Sequence, residues 1–322
     1  MKNKLILDTP ASWWGAKWRE ALPSGNGTVG AAVYGGVHKE TVLLTHEDLW
    51  HGAVTQELPD VSDLLPALRE KMMAGKFSEA DTLLEHEFSN RGYNPEISFP
   101  LPLADLNIYM PVSKGFNHYQ RVLDMESGEV SVTWIDDGVA YSRSTFVSRP
   151  DNVVVMEIKA ESGALEAELS LDLHDISDRF NVHKEELPLP YNVSQESQDE
   201  GLICYAATNP QDDIDFGAVA RIVPIAAPGM AVSMLSKGGG VRVENASSIL
   251  VVIKLFVQSK RDAAWAEAKR HLDNLVLDYP ALLAPHMVEH KEIFDRVCFD
   301  LNTSEGEHHL SNELLLLDAY KG

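Results

Sequence analysis

The densest group of reactive side chains in the chain is the segment HEDLWH, which contains His46, Glu47, Asp48, Trp50 and His51. Two imidazoles, two carboxylates and an indole could ligate a metal ion, transfer protons or stack against a ligand ring. The two His are spaced one residue further apart than in the helical zinc motif H-E-x-x-H. On a helix, at ~100° per residue, they would point about 140° apart and could not share one ion. We therefore predict no metal site in this segment.

The elements that must position this segment are two strands and their turns. Residues 25–27 (GNG) predict a tight turn, because Gly and Asn tolerate the positive φ of primed turns. Residues 29–34 are small and apolar, which is typical of a buried strand. Gly35-Gly36 predicts a reversal, and residues 40–44 resume an extended pattern. We then expect residues 45–52 to form a loop at a sheet end, where functional loops gather.

Composition bounds the class of protein. The 322 residues include 27 Lys+Arg and 49 Asp+Glu, a formal charge of −22 that disfavours nucleic acid and anionic membrane as partners. Cys204 and Cys298 are too few for a disulfide scaffold, and we expect both to be buried thiols. No signal-peptide core or membrane span is present in the sequence, so we expect a cytoplasmic protein. Phosphate-binding, nucleophile-elbow and dinucleotide motifs are also missing, and we predict no cofactor.

Hydrophobic periodicity predicts a mainly β fold. Residues 93–257 hold more than ten short strand patterns without intervening helices, which indicates antiparallel sheets packed face to face. Residues 174–198 are polar and are predicted as a long excursion from one end of the sheets. We predict a large two-sheet antiparallel β super-sandwich over residues 1–258, with an inserted helical hairpin at 60–88. A C-terminal helical linker in residues 259–322 should lead away from it.

Six segments carry a resemblance to a known family. They are EALPSGNGTVGAAVYGG (20–36), DLWHG (48–52), PLADL (102–106), YQRVLD (119–124), GVAYSRSTF (138–146) and FDRVCFDL (294–301). Together, and in this order, they resemble the opening of a glycoside hydrolase family 95 (α-L-fucosidase-like) protein. The likeness covers nearly all of residues 18–301. In the family's N-E-D-T-L-W-S-G element only Leu49, Trp50 and Gly52 match in place, which puts fucose specificity in doubt.

The resemblance implies a layout and an activity. Family members have a β-sandwich, a helical linker, an (α/α)6 catalytic barrel and a smaller C-terminal β-domain. They act on terminal α-L-fucosyl or related α-galactosyl residues with inversion, using barrel residues. Only 22 residues follow Asp300 here, whereas twelve helices of ~11–12 residues need well over a hundred. We therefore expect a truncated, non-catalytic front part with no catalytic residue, ending on an apolar helix start at residues 311–317 with nothing to pack against.

Two roles stay open for the acidic and aromatic candidates. Glycoside hydrolysis needs paired carboxylates, and Glu47, Asp48 and Asp105 are candidates because they lie in the resembling segments. They could equally be turn caps or hydrogen-bond anchors. The segment His46–His51 is expected to contact substrate or a docked barrel, unless Trp50 merely fills the sandwich end. The partner is then a carbohydrate, bound through the missing catalytic domain; the alternative is a stand-alone carbohydrate-binding or interaction module.

Overall fold

The computed structural model describes residues 3–11, 17–51, 57–93, 99–175, 189–198, 201–298 and 311–321. They form two compact units, one made of Met1–Leu49 with Pro102–Gly322 and one of Trp50–Leu101. The strands are β1 Lys4–Leu7, β2 Leu22–Gly25, β3 Val29–Val33, β4 Lys39–His51, β5 Phe99–Tyr109, β6 Phe116–Asp124, β7 Glu129–Asp136, β8 Val139–Val147, β9 Val154–Ala160, β10 Leu165–Asp172, β11 Tyr191–Gln198, β12 Leu202–Thr208, β13 Asp215–Ala226, β14 Ser233–Lys237 and β15 Gly240–Phe256. The α-helices are α1 Leu65–Met73, α2 Phe77–Asn90, α3 Arg261–Asp273, α4 Tyr279–Phe294 and α5 Asn312–Lys321.

The strands of the first unit form two layers. Sheet one runs β1-β6-β7-β8-β9-β15-β13-β12-β11, and sheet two runs β2-β3-β4-β5-β10-β15-β14. Neighbours pair antiparallel, and alternate residues of the strands turn towards the space between the layers. The prediction of a mainly β, two-sheet antiparallel sandwich with a helical hairpin and C-terminal helices is confirmed.

The long strand β15 belongs to both sheets. Its residues 240–246 pair with β10 and β14, and residues 248–256 pair with β9 and β13. The register shifts at Ala246 against both β10 and β13, and Asn245 adopts a φ of 61°. An extra residue in one strand bends it and increases its twist. This bulge lets one continuous strand pass from sheet two into sheet one.

Helices α3 and α4 pack on the outer face of sheet one. Trp265 and Leu272 of α3 and Tyr279 of α4 are buried in a cluster with Phe146 and Val252 of the sheet. The Trp265 indole N–H also donates to the Tyr205 carbonyl at 3.2 Å. The expectation that these helices lead away from the sandwich is therefore wrong, because their apolar side chains are buried against the sheet.

The start of α3 is fixed to β13 by a charged contact. Arg261 donates from Nε and Nη2 to the two carboxylate oxygens of Asp215 at 3.0 and 2.9 Å. Thr208 adds a third donor at 2.7 Å. The Arg261 guanidinium is the main reason that the pKa of Asp215 falls to about 2. The helix is thus anchored where it leaves the sheet.

The second unit contains the helical hairpin. A 3-10 turn at Ser62–Leu64 leads into α1, and Gly75, with a φ of 75°, makes the reversal before α2. Arg91 closes the hairpin by an ion pair to Asp63 at 2.7 Å. The predicted hairpin at residues 60–88 is present, with its helices ending two residues later.

Three local expectations need correction. The excursion at residues 174–198 contains β11, which pairs with β12; residues 176–188 lie outside the described residues. Cys204 is buried, but Cys298 is exposed because it follows the end of α4. Helix α5 is not without contacts, since Asn312 accepts the Ile6 N–H at 2.7 Å and Glu313 accepts donors from Asp8 and Thr9. The polar first turn binds β1, while several Leu of the predicted apolar run remain exposed.

A buried ion pair joins the two sheets. The side chains of Glu40 on β4 and Arg143 on β8 are 0% and 1% exposed, and Arg143 Nη1 lies 2.8 Å from Glu40 Oε2. Glu40 Oε1 accepts the backbone N–H of Tyr34 at 3.1 Å and of Gly35 at 2.8 Å. Arg143 also donates to the Gly36 carbonyl. Burial raises the pKa of Glu40, while Arg143 and the amide donors oppose that rise.

Two further side chains of sheet one lie against this region: Tyr119 contacts the reversal itself, and Arg121 donates to the neighbouring Tyr34 carbonyl at 3.5 Å. Tyr119 on β6 donates its hydroxyl to the Gly35 carbonyl at 2.7 Å. Arg121, also on β6, donates to the carbonyl of Thr9 at 2.7 Å and to that of Glu20 at 2.5 Å. The carbonyls of Gly35, Thr9 and Glu20 are therefore bonded by side chains of sheet one. Arg143 Nη1 and Glu40 Oε2 contact each other only as an ion pair, and among the described residues Arg143 Nε has no hydrogen-bond partner.

We predict that Glu40→Gln destabilises the fold by about 3–5 kcal/mol, because it leaves the Arg143 charge buried without its partner. Urea unfolding followed by circular dichroism measures the change. The matched control is Glu292→Gln, which breaks an exposed pair with Arg296 and should cost less than about 1 kcal/mol. Equal, small losses in both variants would contradict a structural role for the pair.

A buried imidazole links α4 to two turns of sheet one. His286 is 1% exposed, its Nδ1 accepts the Arg149 backbone N–H at 3.3 Å, and its Nε2 hydrogen-bonds the Ser127 carbonyl at 2.8 Å. These partners require the neutral ring with its proton on Nε2. Burial lowers the pKa of His286, and the neighbouring His290 and Arg149 act in the same direction.

We predict that the folded state loses stability as the pH falls below about 6.5, the ordinary His value. The folded pKa of His286 lies below its unfolded value, so its contribution is complete above that value and declines through the folded pKa. Unfolding free energies measured from about pH 7.5 to about pH 5.5 should fall less steeply for His286→Gln than for the unmodified chain. The control His86→Gln, at an exposed hairpin position, should keep the original slope; an unchanged slope in His286→Gln would rule the contribution out.

Candidate functional site

The predicted loop at residues 45–52 is a strand up to His51. Strand β4 runs from Lys39 to His51, and His46 pairs with Val29 of β3. The polar residues at the end of β4 made the pattern resemble a loop, but their backbone continues the ladder of sheet two.

His46 and Asp48 come together at this end of β4. The His46 ring is largely buried, its Nδ1 accepts the Asp48 backbone N–H at 3.2 Å, and the Asp48 carboxylate lies 3.9 Å from the same nitrogen. Burial lowers the pKa of His46, the carboxylates of Asp48 and Glu47 raise it, and the Lys254 ammonium lowers it further. The neutral imidazole is therefore the favoured form at neutral pH.

Glu47 is held by the neighbouring turn between β2 and β3. Its carboxylate accepts the Thr28 hydroxyl at 3.0 Å, and its backbone N–H donates to the Thr28 carbonyl at 2.9 Å. Asn26 shapes that turn by accepting the N–H groups of Thr28 and Val29 at 3.0 and 2.8 Å. These bonds fit a hydrogen-bond anchor, one of the two roles that the sequence leaves open for Glu47.

The same end of the first unit connects to α3 through a polar network. The Asn26 side-chain amide donates to the Asn152 side chain at 2.7 Å, and the Lys254 ammonium donates to the Asn152 carbonyl at 3.1 Å. His271 on α3 hydrogen-bonds the adjacent Asp151 carbonyl at 3.0 Å. Turns from both sheets and α3 therefore meet in one network, to which His46 is coupled through the charge of Lys254.

Trp50 and His51 belong to the second unit. Trp50 is 45% exposed, whereas a side chain that filled the sandwich core would be buried. His51 is the last residue of β4. The structure thus brings His46 and Asp48 together, ties Glu47 to Thr28, and leaves the Trp50 side chain about half exposed.

Only one residue of a second acidic site was predicted from the sequence. Asp105 on β5 faces Asp172 on β10 directly across the ladder, and both carboxylate oxygens of Asp105 contact His174 Nδ1, at 2.8 and 3.0 Å. Asp105 was a candidate, but Asp172 and His174 were missed. The signal was present in the run LDLHD, where Asp172 occupies the outward phase of an alternating strand.

Protein donors occupy this carboxylate pair. Asp172 accepts from Asn107 at 2.8 Å, from Ser170 at 2.5 Å and from Gln195 at 2.6 Å. A general acid or base needs a lone pair or proton free to reach the substrate. These two carboxylates instead cross-link β5, β10 and β11. Within the described ranges, no three His, Cys, Asp or Glu side chains are arranged to hold a metal ion.

Comparison with protein families decides what the sandwich is. Residues 5–259 match the family described as glycosyl hydrolase family 65, N-terminal domain. The chain belongs to this family. The matched span takes in all the strands from β2 to β15 and ends just before α3.

The curated relatives are fucosidases. The chain is 27% identical over 318 residues to alpha-L-fucosidase 2 of Arabidopsis thaliana, an alignment of 89% of this chain and 36% of that protein. It is 30% identical over 170 residues to a protein of Aspergillus niger described as an alpha-fucosidase A, covering 50% of this chain and 21% of the relative. The predicted resemblance to the N-terminal part of an α-L-fucosidase-like glycoside hydrolase is confirmed, and the chain spans about a third or less of these relatives.

A solved structure shares the fold of this N-terminal domain. A protein described as a kojibiose phosphorylase from the human microbiome superposes with a TM-score of 0.55 at 11% identity. The match covers 91% of this chain and 38% of that one. Among the helices that the structure describes, none has the length and apolar character needed to cross a membrane.

Proposed function

We propose that this chain is the N-terminal, non-catalytic part of a glycoside hydrolase that removes terminal α-L-fucosyl or related α-galactosyl residues with inversion. The observation that carries the proposal is the alignment of 89% of the chain with only 36% of an alpha-L-fucosidase 2. Most of the aligned part of this chain also matches a family of N-terminal domains. The catalytic acid and the water-activating residues then belong to a separate catalytic barrel.

The geometry of the acidic candidates supports this assignment. Glu47 is bound to Thr28, and Asp105 and Asp172 are bound to His174, Asn107 and other donors of the sandwich. Side chains engaged in this way stabilise the sheets and their turns. The Asp48 side chain is exposed, and its carboxylate lies 3.9 Å from His46 Nδ1. Hydrolysis with inversion needs two carboxyl groups or an acid and a positioned water in one pocket.

We further propose that residues His46–His51 face the catalytic domain or its substrate. Strand β4 ends in this segment, where the Lys254 charge acts on His46 and the same ammonium donates to the turn that His271 of α3 contacts. The exposed Trp50 indole offers an apolar surface to a sugar or a docked barrel. We also propose that the sandwich domain ends near residue 258 and that the helical linker follows it. The relatives favour this role over a stand-alone binding module, because they are whole enzymes that the chain covers in part.

We predict that residues 1–322 alone hydrolyse neither 4-nitrophenyl α-L-fucoside nor the α-galactoside, because the acidic candidates that the structure describes in the sandwich are bonded to protein groups and form no acid and water-positioning pair. Release of nitrophenolate by the purified chain measures this. The positive control is an α-L-fucosidase assayed under the same conditions. Turnover that disappears on Asp48→Asn or Asp105→Asn would place the catalytic residues in this chain and refute the proposal.

We predict that Trp50→Ala, in an enzyme that joins this domain to its catalytic domain, raises KM about tenfold, the loss of about 1.4 kcal/mol of contact. Its unfolding free energy should change little, because the side chain is half exposed. The comparison variant is Trp134→Ala at a buried position, which should cost about 3–5 kcal/mol of stability. If Trp50→Ala loses stability like Trp134→Ala and keeps its KM, the segment is structural and its proposed role fails.

A further inference from the structure

A groove of about 590 Å³ opens on the outer face of sheet two. Its lining includes Tyr109, Glu168, Ser170, Leu235, Lys237 and Arg242, from β5, β10, β14 and β15. We call it the outer groove. On β10 the alternate residues Leu169 and Leu171 are buried in the core, so Glu168 and Ser170 point away from it. The volume lies within the ~300–1,000 Å³ typical of ligand sites.

Strand register defines the two ends of the outer groove. Tyr109 pairs with Glu168, Glu168 with Arg242, and Arg242 with Leu235, so these four side chains form one row across four strands. Three strand spacings separate Tyr109 from Leu235, about 14 Å. Tyr109 is 42% exposed and Leu235 is 58% exposed. The row therefore presents an aromatic surface at one end and an aliphatic surface at the other.

The depth of the groove comes from a glycine in the next row. Ser170 pairs with Gly240, and Gly240 pairs with Lys237. Gly240 places no side chain between Ser170 and Lys237, which leaves a depression in the sheet face. A Cβ at this position would lie 2.9 Å from the Leu169 carbonyl oxygen, so the backbone itself excludes a larger residue. Gly238, with a φ of 59°, forms the adjoining turn and part of the wall.

The charges of the outer groove are mostly satisfied within the protein. Arg242 pairs with Glu166, with Glu168 at 3.1 Å and with Glu244 at 2.8 Å. Asp172 at the far edge is already bound by three donors. The Lys237 ammonium makes no ion pair with any residue that the structure describes. Arg242 and Lys237 carry two positive charges against the four carboxylates of Glu166, Glu168, Glu244 and Asp172, so a ligand would meet a surface of negative net charge with the Lys237 ammonium available as a donor.

These features fit a neutral sugar. Lys39 lies 5.4 Å from the centre of the Tyr109 ring and His38 contacts it edge-on, which fixes the ring while leaving part of it exposed. A pyranose has apolar C–H faces that stack on such a ring and hydroxyl groups that accept hydrogen bonds from an ammonium. An anionic ligand would approach a surface that also carries Glu166, Glu168 and Glu244.

We propose that the outer groove binds a neutral saccharide, which spans Tyr109 and Leu235 and accepts a hydrogen bond from Lys237. The choice of a sugar as the ligand class rests on the proposed function, whereas the groove and its lining do not. Such a site would hold a glycan chain on the domain's surface.

Saturation-transfer NMR on the 322-residue chain tests the proposal with lactose, 2′-fucosyllactose and anionic 3′-sialyllactose as probes. We expect transfer to the two neutral sugars and weaker transfer to the anionic one. Tyr109→Ala should weaken binding about five- to tenfold through loss of the stacking surface. Leu235→Asn, at an exposed position on a short strand, should weaken binding without affecting folding, and Tyr320→Ala on α5 is the matched control for an exposed Tyr.

Three results would overturn the proposal: no transfer to either neutral sugar, a preference for 3′-sialyllactose, or unchanged binding in both Tyr109→Ala and Leu235→Asn. Thermal unfolding of each variant confirms that it is folded. The assay measures binding by this chain and no hydrolysis. A failure here therefore leaves the proposed hydrolase role standing, and a failure of that role would appear in glycoside turnover instead.

Discussion

The contact between Glu40 and Arg143 is the interaction on which the rest of the sandwich depends. It crosses from sheet two to sheet one and fixes the reversal at Gly35-Gly36 against the facing strands. Both glycines are required for close approach, since a Cβ on Gly35 would collide with Tyr119 and one on Gly36 with the Lys39 carbonyl. Removing either partner of a buried ion pair leaves an uncompensated charge in the core, which is strongly destabilising. The pair therefore ties the reversal of sheet two to β8 of sheet one.

Three of the six segments that carry the family resemblance meet at this contact. Gly35 lies in the first of them, Tyr119 and Arg121 in the YQRVLD segment, and Arg143 in GVAYSRSTF. Segments far apart in sequence thus share one buried polar cluster between the sheets. The contacts of these residues between the two sheets account for their residue types without a role in catalysis. The same holds for Asp105 in PLADL, whose carboxylate is bound to His174.

Alternation of apolar residues was enough to predict the strands and the two-layer architecture, because each strand buries one face. The alternation did not predict the end of β4. Two consecutive polar residues, Glu47 and Asp48, break the pattern there, although they belong to a strand that pairs with β3. The sequence also could not predict which strands pair, or which of their residues lie opposite one another. That Asp105 lies opposite Asp172, or that Tyr109, Glu168 and Arg242 share a row, follows from register, and register depends on contacts distant in sequence. The packing of α3 and α4 on the sheet was not predicted for the same reason. The apolar residues that contact Trp265 come from several strands, which lie together only in the folded sheet.

A double-mutant cycle on Glu40→Gln and Arg143→Met tests the central claim most directly. The unfolding free energies of the four proteins give the coupling between the two side chains without the separate cost of each replacement. If the pair locks the two sheets together, the coupling free energy should reach about 2–3 kcal/mol, near the upper end for residues in contact. Additivity within about 0.5 kcal/mol would contradict the account, because the two side chains would then be acting independently.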